Sequence, residues 1–191
     1  FDGSILSVPQ VNTESGFSIV KYTGTGSNGT VGHGLSPSVP ELMIVKSRET
    51  SGYWLVYSNQ VPNTSFFYLN TTDDEDTGGA VVWNSTSPSD KVFSIGTSSF
   101  VNPSSDMIAY IFHSVEGYSK FGKYTANGSN DGTFVFTGFD ISFLMIKRAS
   151  ATGVYSSWTM YDNKRKTKNS DVGTDSNPLF ANKSSQEGIR G

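Results

Sequence analysis

GFSIVKYTGTGSNGTVGHGLSPSVPELMIVKSRETSGYWLVYSN, residues 16–59, returns in diverged form as GYSKFGKYTANGSNDGTFVFTGFDISFLMIKRASATGVYSSWTMYDN, residues 117–163. Gly16 aligns with Gly117, Tyr22 and Thr23 with Tyr124 and Thr125, and Gly26-Ser27-Asn28 with Gly128-Ser129-Asn130. Further along, Lys46 aligns with Lys147, and Trp54, Tyr57 and Asn59 with Trp158, Tyr161 and Asn163. The period is about 100 residues, far above the roughly 20–50 residues of solenoid and propeller repeats. It describes a duplicated multi-strand unit, and it speaks to architecture before chemistry.

Throughout the chain, short runs rich in Val, Ile, Phe, Tyr and Trp alternate with clusters of Gly, Ser, Asn, Asp and Pro. That is the pattern of strands and turns. Strands are predicted over 17–23, 29–34, 41–48, 53–57, 66–70, 80–83, 92–96, 107–114, 118–125, 132–136, 143–148 and 157–161. No window of helical length carries an apolar face at a period of 3.6. The predicted fold is therefore all-β, a two-sheet antiparallel β-sandwich with pseudo-duplicated halves, forming one domain over 1–191. In Met107-Ile108-Ala109-Tyr110-Ile111-Phe112-His113 the apolar character is nearly continuous, so this strand is expected to be covered on both faces.

Composition narrows the function classes. The net charge is −3, and the two richest basic stretches, 46–48 and 164–168, are short, so the footprint of a nucleic-acid binder is missing. With no cysteine, the chain has no disulfide, thiolate nucleophile or cysteine-based zinc site. No run approaches the roughly 18 apolar residues of a membrane-spanning helix. The first residues, Phe1-Asp2-Gly3-Ser4, lack an initiator Met and read as the start of a fragment or a processed product. Six Asn-x-Ser/Thr triplets begin at Asn28, Asn63, Asn70, Asn84, Asn127 and Asn182; in a chain so rich in these residues they mark turns.

Few motifs carry chemistry. The acidic run Asp73-Asp74-Glu75-Asp76, inside the polar loop 71–79, would suit a calcium ion through Asp73, Asp74 and Asp76. It lacks the alternation, glycine and distal glutamate of an EF-hand, and reads first as a solvated loop. His33 and His113 are far apart; His113 ends an apolar strand and is expected to be hydrogen-bonded and partly buried, His33 to sit at a turn or strand edge. The stretches 24–29 and 127–132 are glycine-rich but lack the Lys-Ser/Thr ending of a phosphate loop, and are read as hairpin turns. No strand carries the paired carboxylates of a glycosidase, so no catalytic residue is assigned. Trp54 and Trp158 are repeat equivalents and are read as packing residues. Trp83, Tyr53 and Tyr155 have no such partner, and they are the residues expected to stack on a sugar.

The strings GFSIVKYTGTGSNGTVGHGL, VVWNSTSPSDKVFSIG and AYIFHSVEGYSKFGKYTANGSNDGTFVFTGF resemble a domain of unknown function in structural proteins of tailed bacteriophages, especially fibre-like proteins of marine phages. The resemblance runs from about residue 5 to 182. It implies a concanavalin A-like jelly roll of the lectin/glucanase type and a non-enzymatic tail-fibre or other virion surface component. Related sequences continue past a segment like 186–191 into strands that close the sandwich. The resemblance thus implies a fragment whose closing strands lie elsewhere.

On this reading the expected function is adhesion at the virion surface. Loops 71–79, 59–65 and 149–157 would contact a bacterial surface glycan, other virion proteins would hold the module, and it would form a homo-oligomer, plausibly a trimer. The alternative is a capsid decoration or head-fibre protein that binds other virion proteins.

Overall fold

The computed structural model of the chain describes residues 1–150, 156–164 and 178–184. The described residues form strands and no helix: β1 (Ser7–Asn12), β2 (Phe17–Thr23), β3 (Gly29–Gly32), β4 (Leu42–Ser47), β5 (Leu55–Ser58), β6 (Phe67–Tyr68), β7 (Val92–Ile95), β8 (Asp106–Phe112), β9 (Phe143–Ile146), β10 (Thr159–Asp162) and β11 (Leu179–Phe180). A six-stranded sheet runs β1-β2-β8-β4-β5-β6, a two-stranded sheet pairs β3 with β7, and a three-stranded sheet runs β11-β10-β9. Every pairing between these strands is antiparallel. The fold is an all-β antiparallel sandwich, as predicted.

Side-chain alternation explains how the large sheet sits. In β2, Ser18, Val20 and Tyr22 are buried while Lys21 and Thr23 reach solvent. In β8, Met107, Ala109 and Ile111 are buried and Ile108, Tyr110 and Phe112 are half-buried, so neither face lies open. One face builds the main core with Val31, Phe93 and Ile95 of the β3–β7 sheet and with Leu35, Trp83 and Val101 from connecting segments. The other face carries Val56 and Phe67, which pack against Trp158 and Met145 of the three-stranded layer.

The duplication is visible in backbone detail. In the β4–β5 hairpin Leu42 faces Ser58 and Val45 faces Leu55; in β9–β10 Phe143 faces Asp162 and Ile146 faces Thr159, the repeat-equivalent positions. The N–H of Asn59 donates to the carbonyl of Glu41 at 2.9 Å, and that of Asn163 to Ser142 at 3.1 Å. The copy extends beyond what the sequence alignment reaches. Leu55 faces Tyr68 as Thr159 faces Phe180, and the N–H groups of Trp54 and Trp158 each donate to an asparagine Oδ1, Asn70 and Asn182, at 3.0 Å. Thus β9–β10–β11 repeats β4–β5–β6. Gly16 and Gly117, and Gly26 and Gly128, also share positive φ, the conformation that favours glycine at these turns.

Other expectations are corrected. Residues 118–125 and 132–136 form no strand; apart from a bridge between Val115 and Ser119 they have no ladder partner among the described residues. Residues 80–83 form a turn, with the N–H groups of Val82 and Trp83 both donating to the carbonyl of Gly79. The stretch 24–29 is no hairpin turn, because it carries the chain from β2 in the large sheet to β3 in the facing one. The edge strand β1 and the short β11 were not predicted. All six sequon asparagines make side-chain hydrogen bonds, in keeping with turn roles.

Asn102 holds the two main layers at one end. It is fully buried; its Nδ2 donates to the carbonyls of Ser27 and Gly96 at 2.7 Å each, and its Oδ1 accepts the N–H of Thr25 at 2.7 Å. An alanine there removes three hydrogen bonds, a buried one to Gly96 and two part-buried ones to Thr25 and Ser27, and a hydrogen bond contributes about 1 kcal/mol, or about 1–3 kcal/mol where a buried group is left unpaired. Asn102→Ala is expected to lower unfolding stability by about 3 kcal/mol or more, measured by urea denaturation; a loss under about 1 kcal/mol would contradict this role.

Candidate functional site

The residues singled out from sequence have three fates. Trp83 is fully buried, with its ring edge-on to Tyr57 at 5.8 Å, so it offers no face to a sugar. Its apolar run folds inward as the turn after Gly79 and completes the main core, which corrects the expectation of an exposed platform. Tyr155 lies outside the described residues. Tyr53 is 41% exposed and does sit on the surface.

Tyr53 also has company. It precedes β5, and its ring lies 4.5 Å from that of Tyr68 on β6 and 5.3 Å from that of Phe100 in the loop before Asn102. Phe66 meets Tyr68 edge-on at 5.1 Å and anchors the group from the core side. The platform is therefore Tyr53, Tyr68 and Phe100, drawn from three segments.

The acidic loop forms its rim. Asp76 is pinned beside Phe66 by two backbone hydrogen bonds, Phe66 N–H to Asp76 at 3.0 Å and Asp76 N–H to Phe66 at 2.9 Å. Its Oδ1 accepts the N–H of Gly78 at 2.7 Å, and its Oδ2 faces the Tyr68 hydroxyl at 3.5 Å. Burial, reinforced by the Asp76 charge, pushes the Tyr68 phenol above its ordinary range, so it stays a neutral hydrogen-bond donor. A phenol, a carboxylate and two part-exposed rings, those of Tyr53 and Phe100, thus meet at one place.

The other acidic residues turn elsewhere. Lys147, the repeat partner of Lys46, donates to the carbonyls of Thr72 and Ser156 and lies in the field of Asp74 and Asp73. Burial lowers the pKa of its ammonium, and the two carboxylates oppose that shift. Lys46 likewise folds onto loop carbonyls, those of Ser47 and Thr50, so both copies use this lysine to close a hairpin loop. The N–H of Glu75 donates to the carbonyl of Ala149 at 3.2 Å, which brings loop 71–79 against the start of loop 149–157. Among the described residues no three His, Asp or Glu side chains converge as a metal site; of the candidate aspartates, Asp76 meets the Tyr68 hydroxyl.

Sequence gave no signal for Tyr68 or Phe100, since neither the alignment nor any motif singles them out. The histidines are structural. His113 is half-buried, with Nδ1 2.8 Å from the carbonyl of Ser114, as expected. His33 is fully buried; Nδ1 accepts the N–H of Leu35 at 3.1 Å, and Nε2 is 3.2 Å from the carbonyl of Ser89. The fold thus holds the tautomer protonated on Nε2.

Among the described residues no helix is long and apolar enough to cross a membrane. The fold and the platform define a class: an all-β antiparallel sandwich that displays clustered aromatics beside an acidic loop. The chain belongs to the family described as Domain of unknown function (DUF7483), whose profile matches residues 1–191. No curated protein and no solved structure matches it.

His33 generates a pH prediction. Burial lowers its pKa below the ordinary 6.5, and the smaller pulls of the Ser89 carbonyl, Asp90 and Asp2 do not offset this. Below pH 6.5 the unfolded chain binds the proton first, so stability falls as pH drops through that value until the folded imidazole itself titrates. The loss is at most about 1.4 kcal/mol per pH unit for one group. His33→Gln is expected to flatten the slope of unfolding free energy between pH 6.5 and 5; an unchanged slope would place the effect elsewhere.

Proposed function

We propose that the chain is a non-enzymatic, carbohydrate-contacting β-sandwich of a phage virion surface, most in keeping with a tail-fibre or receptor-binding module of jelly-roll type. The observation that carries the binding part is the convergence of Tyr53, Tyr68 and Phe100 beside Asp76. Aromatic faces stack on the apolar C–H face of a pyranose, while a phenol and a carboxylate take up its hydroxyls. The ligand class is therefore a neutral or cationic glycan of a bacterial surface. The virion placement rests on the sequence resemblance. Weak binding at each copy suits a particle that presents many copies at once.

A second reading, an assembly or decoration protein that binds other virion proteins, is favoured by the exposed Phe134 and Phe136. The two readings use different surfaces.

The test is a glycan array of bacterial surface polysaccharides, followed by titration of any hit. Tyr53→Ala and Phe100→Ala are each expected to weaken binding about tenfold, near the 1.4 kcal/mol that one stacked ring contributes, with the melting temperature nearly unchanged. Retention of no glycan, or full binding by both variants, would remove the carbohydrate reading.

A further inference from the structure

An asparagine followed by glycine carries a reactivity of its own. The backbone nitrogen of the glycine attacks the side-chain amide carbon, and without a Cβ the glycine backbone turns freely enough to close the ring. The sequence holds two such pairs, Asn28-Gly29 and Asn127-Gly128. The structure treats them oppositely.

The pair Asn28-Gly29 is held. Gly29 opens β3 and lies opposite Ile95 in the β3–β7 ladder. Ile5 Cδ1 stands 2.7 Å from where a Cβ would be, so the backbone has no room to turn. The Asn28 amide is engaged as well, with Nδ2 donating to Asn84 Oδ1 at 2.9 Å.

The pair Asn127-Gly128 is open. Residues 121–127 form no strand, and 128–131 form an exposed bend. Among the described residues no acceptor takes the Gly128 N–H, and nothing lies within 4 Å of where its Cβ would be. Asn127 Oδ1 accepts the N–H of Ser129 at 3.0 Å. This Asx turn folds the side-chain amide back beside the Gly128 peptide and polarises its carbonyl. Nδ2 donates to the carbonyl of exposed Asp131 at 2.9 Å.

The first copy shows the same turn closed. Thr25-Gly26 stands where Asn127-Gly128 stands, and Gly26 has a φ of +73° against +70° for Gly128. There the glycine N–H donates to the carbonyl of buried Asn102 at 2.9 Å, and the preceding threonine has no amide to attack. The second copy keeps the turn, frees the nucleophile and supplies the electrophile.

We propose that Asn127 is a site of spontaneous covalent modification, where the Gly128 nitrogen closes on Asn127 Cγ to form a succinimide, while Asn28 stays intact. The N–Cγ bond forms, the Cγ–Nδ2 bond breaks, and the proton of the Gly128 N–H leaves with Nδ2 as ammonia. Water then opens the ring. Cleavage at the backbone carbonyl gives isoaspartate, and cleavage at Cγ gives aspartate. Both products lose the Nδ2 tie to Asp131 and gain a carboxylate, which loosens the bend. None of this depends on the carbohydrate reading.

The test holds the folded chain at physiological pH and temperature for several weeks, beside the same chain unfolded in urea. Peptide mass spectrometry then reads both asparagines. Unfolded, the two pairs are expected to react at similar rates, since each is followed by glycine. Folded, Asn127 is expected to convert at least about tenfold faster than Asn28, the factor that 1.4 kcal/mol of local opening at β3 supplies. Isoaspartate is expected to exceed aspartate, the mark of ring opening. Three outcomes would overturn the proposal. These are equal rates at the two sites in the folded chain, an Asn127 slowed about tenfold or more by folding, and aspartate as the sole product.

Discussion

The structure depends on β8 reaching the middle of the large sheet. β2 and β4 never touch; each is bonded to β8, which follows β5 only after the long excursion through β6, the Trp83 turn and β7. Until β8 arrives, the β4–β5 hairpin and the β1–β2 hairpin are separate ribbons with one apolar face each. Its inner residues Met107, Ala109 and Ile111 close the main core, and its outer residues Tyr110 and Phe112 stack on Trp54 and Phe17. Burying a large aliphatic side chain contributes about 1.5–3 kcal/mol, so one strand decides whether either face is sealed. Asn102, just before β8, fixes where it enters by tying that loop to the β2–β3 crossover. Asp106, at the start of β8, takes surface ion pairs from Lys21 on β2 and from Arg48 just after β4. Non-local pairing of this kind is slow to form.

How much of this was legible follows from what a local pattern can encode. β2 was read to the residue because FSIVKYT alternates and is rich in β-branched and aromatic residues. β1 was missed because SVPQVN is an edge strand with Pro9, and its exposed side chains leave no apolar stripe to read. The run Ala80-Val81-Val82-Trp83 has strand propensity, yet its backbone turns onto the Gly79 carbonyl, and only Val82 and Trp83 enter the core while Val81 stays exposed. Residues 118–125 and 132–136 have strand chemistry too. A strand, unlike a helix, is completed by a neighbour, and local sequence is silent on whether that neighbour exists.

The site shows the same limit at the level of side chains. Tyr53 could be named because it lacks a repeat equivalent, but its neighbours could not. Phe100 reaches it from a loop about 50 residues away, and Tyr68 through the β5–β6 pairing. Trp83 was named for the same reason as Tyr53 and proved to be core, because a tryptophan's size favours burial wherever the fold has room. The acidic run was legible as a loop. That Lys147 reaches the Thr72 carbonyl of this loop while Asp76 meets Tyr68 depends on the second meander packing over the first.

The two copies finally separate what the duplicated sequence conserves from what it leaves free. Register, the asparagine cap on each tryptophan N–H and the lysine that closes each hairpin loop are the same in both, since they are internal to a three-stranded meander and need nothing beyond it. The positions that differ in burial are those that need a neighbour. Tyr22 donates its hydroxyl to the carbonyl of Val101 at 2.6 Å inside the core, whereas Tyr124 stands half in solvent. The first copy completes its sheet from within the chain; among the described residues the matching edge of β9 has no paired strand.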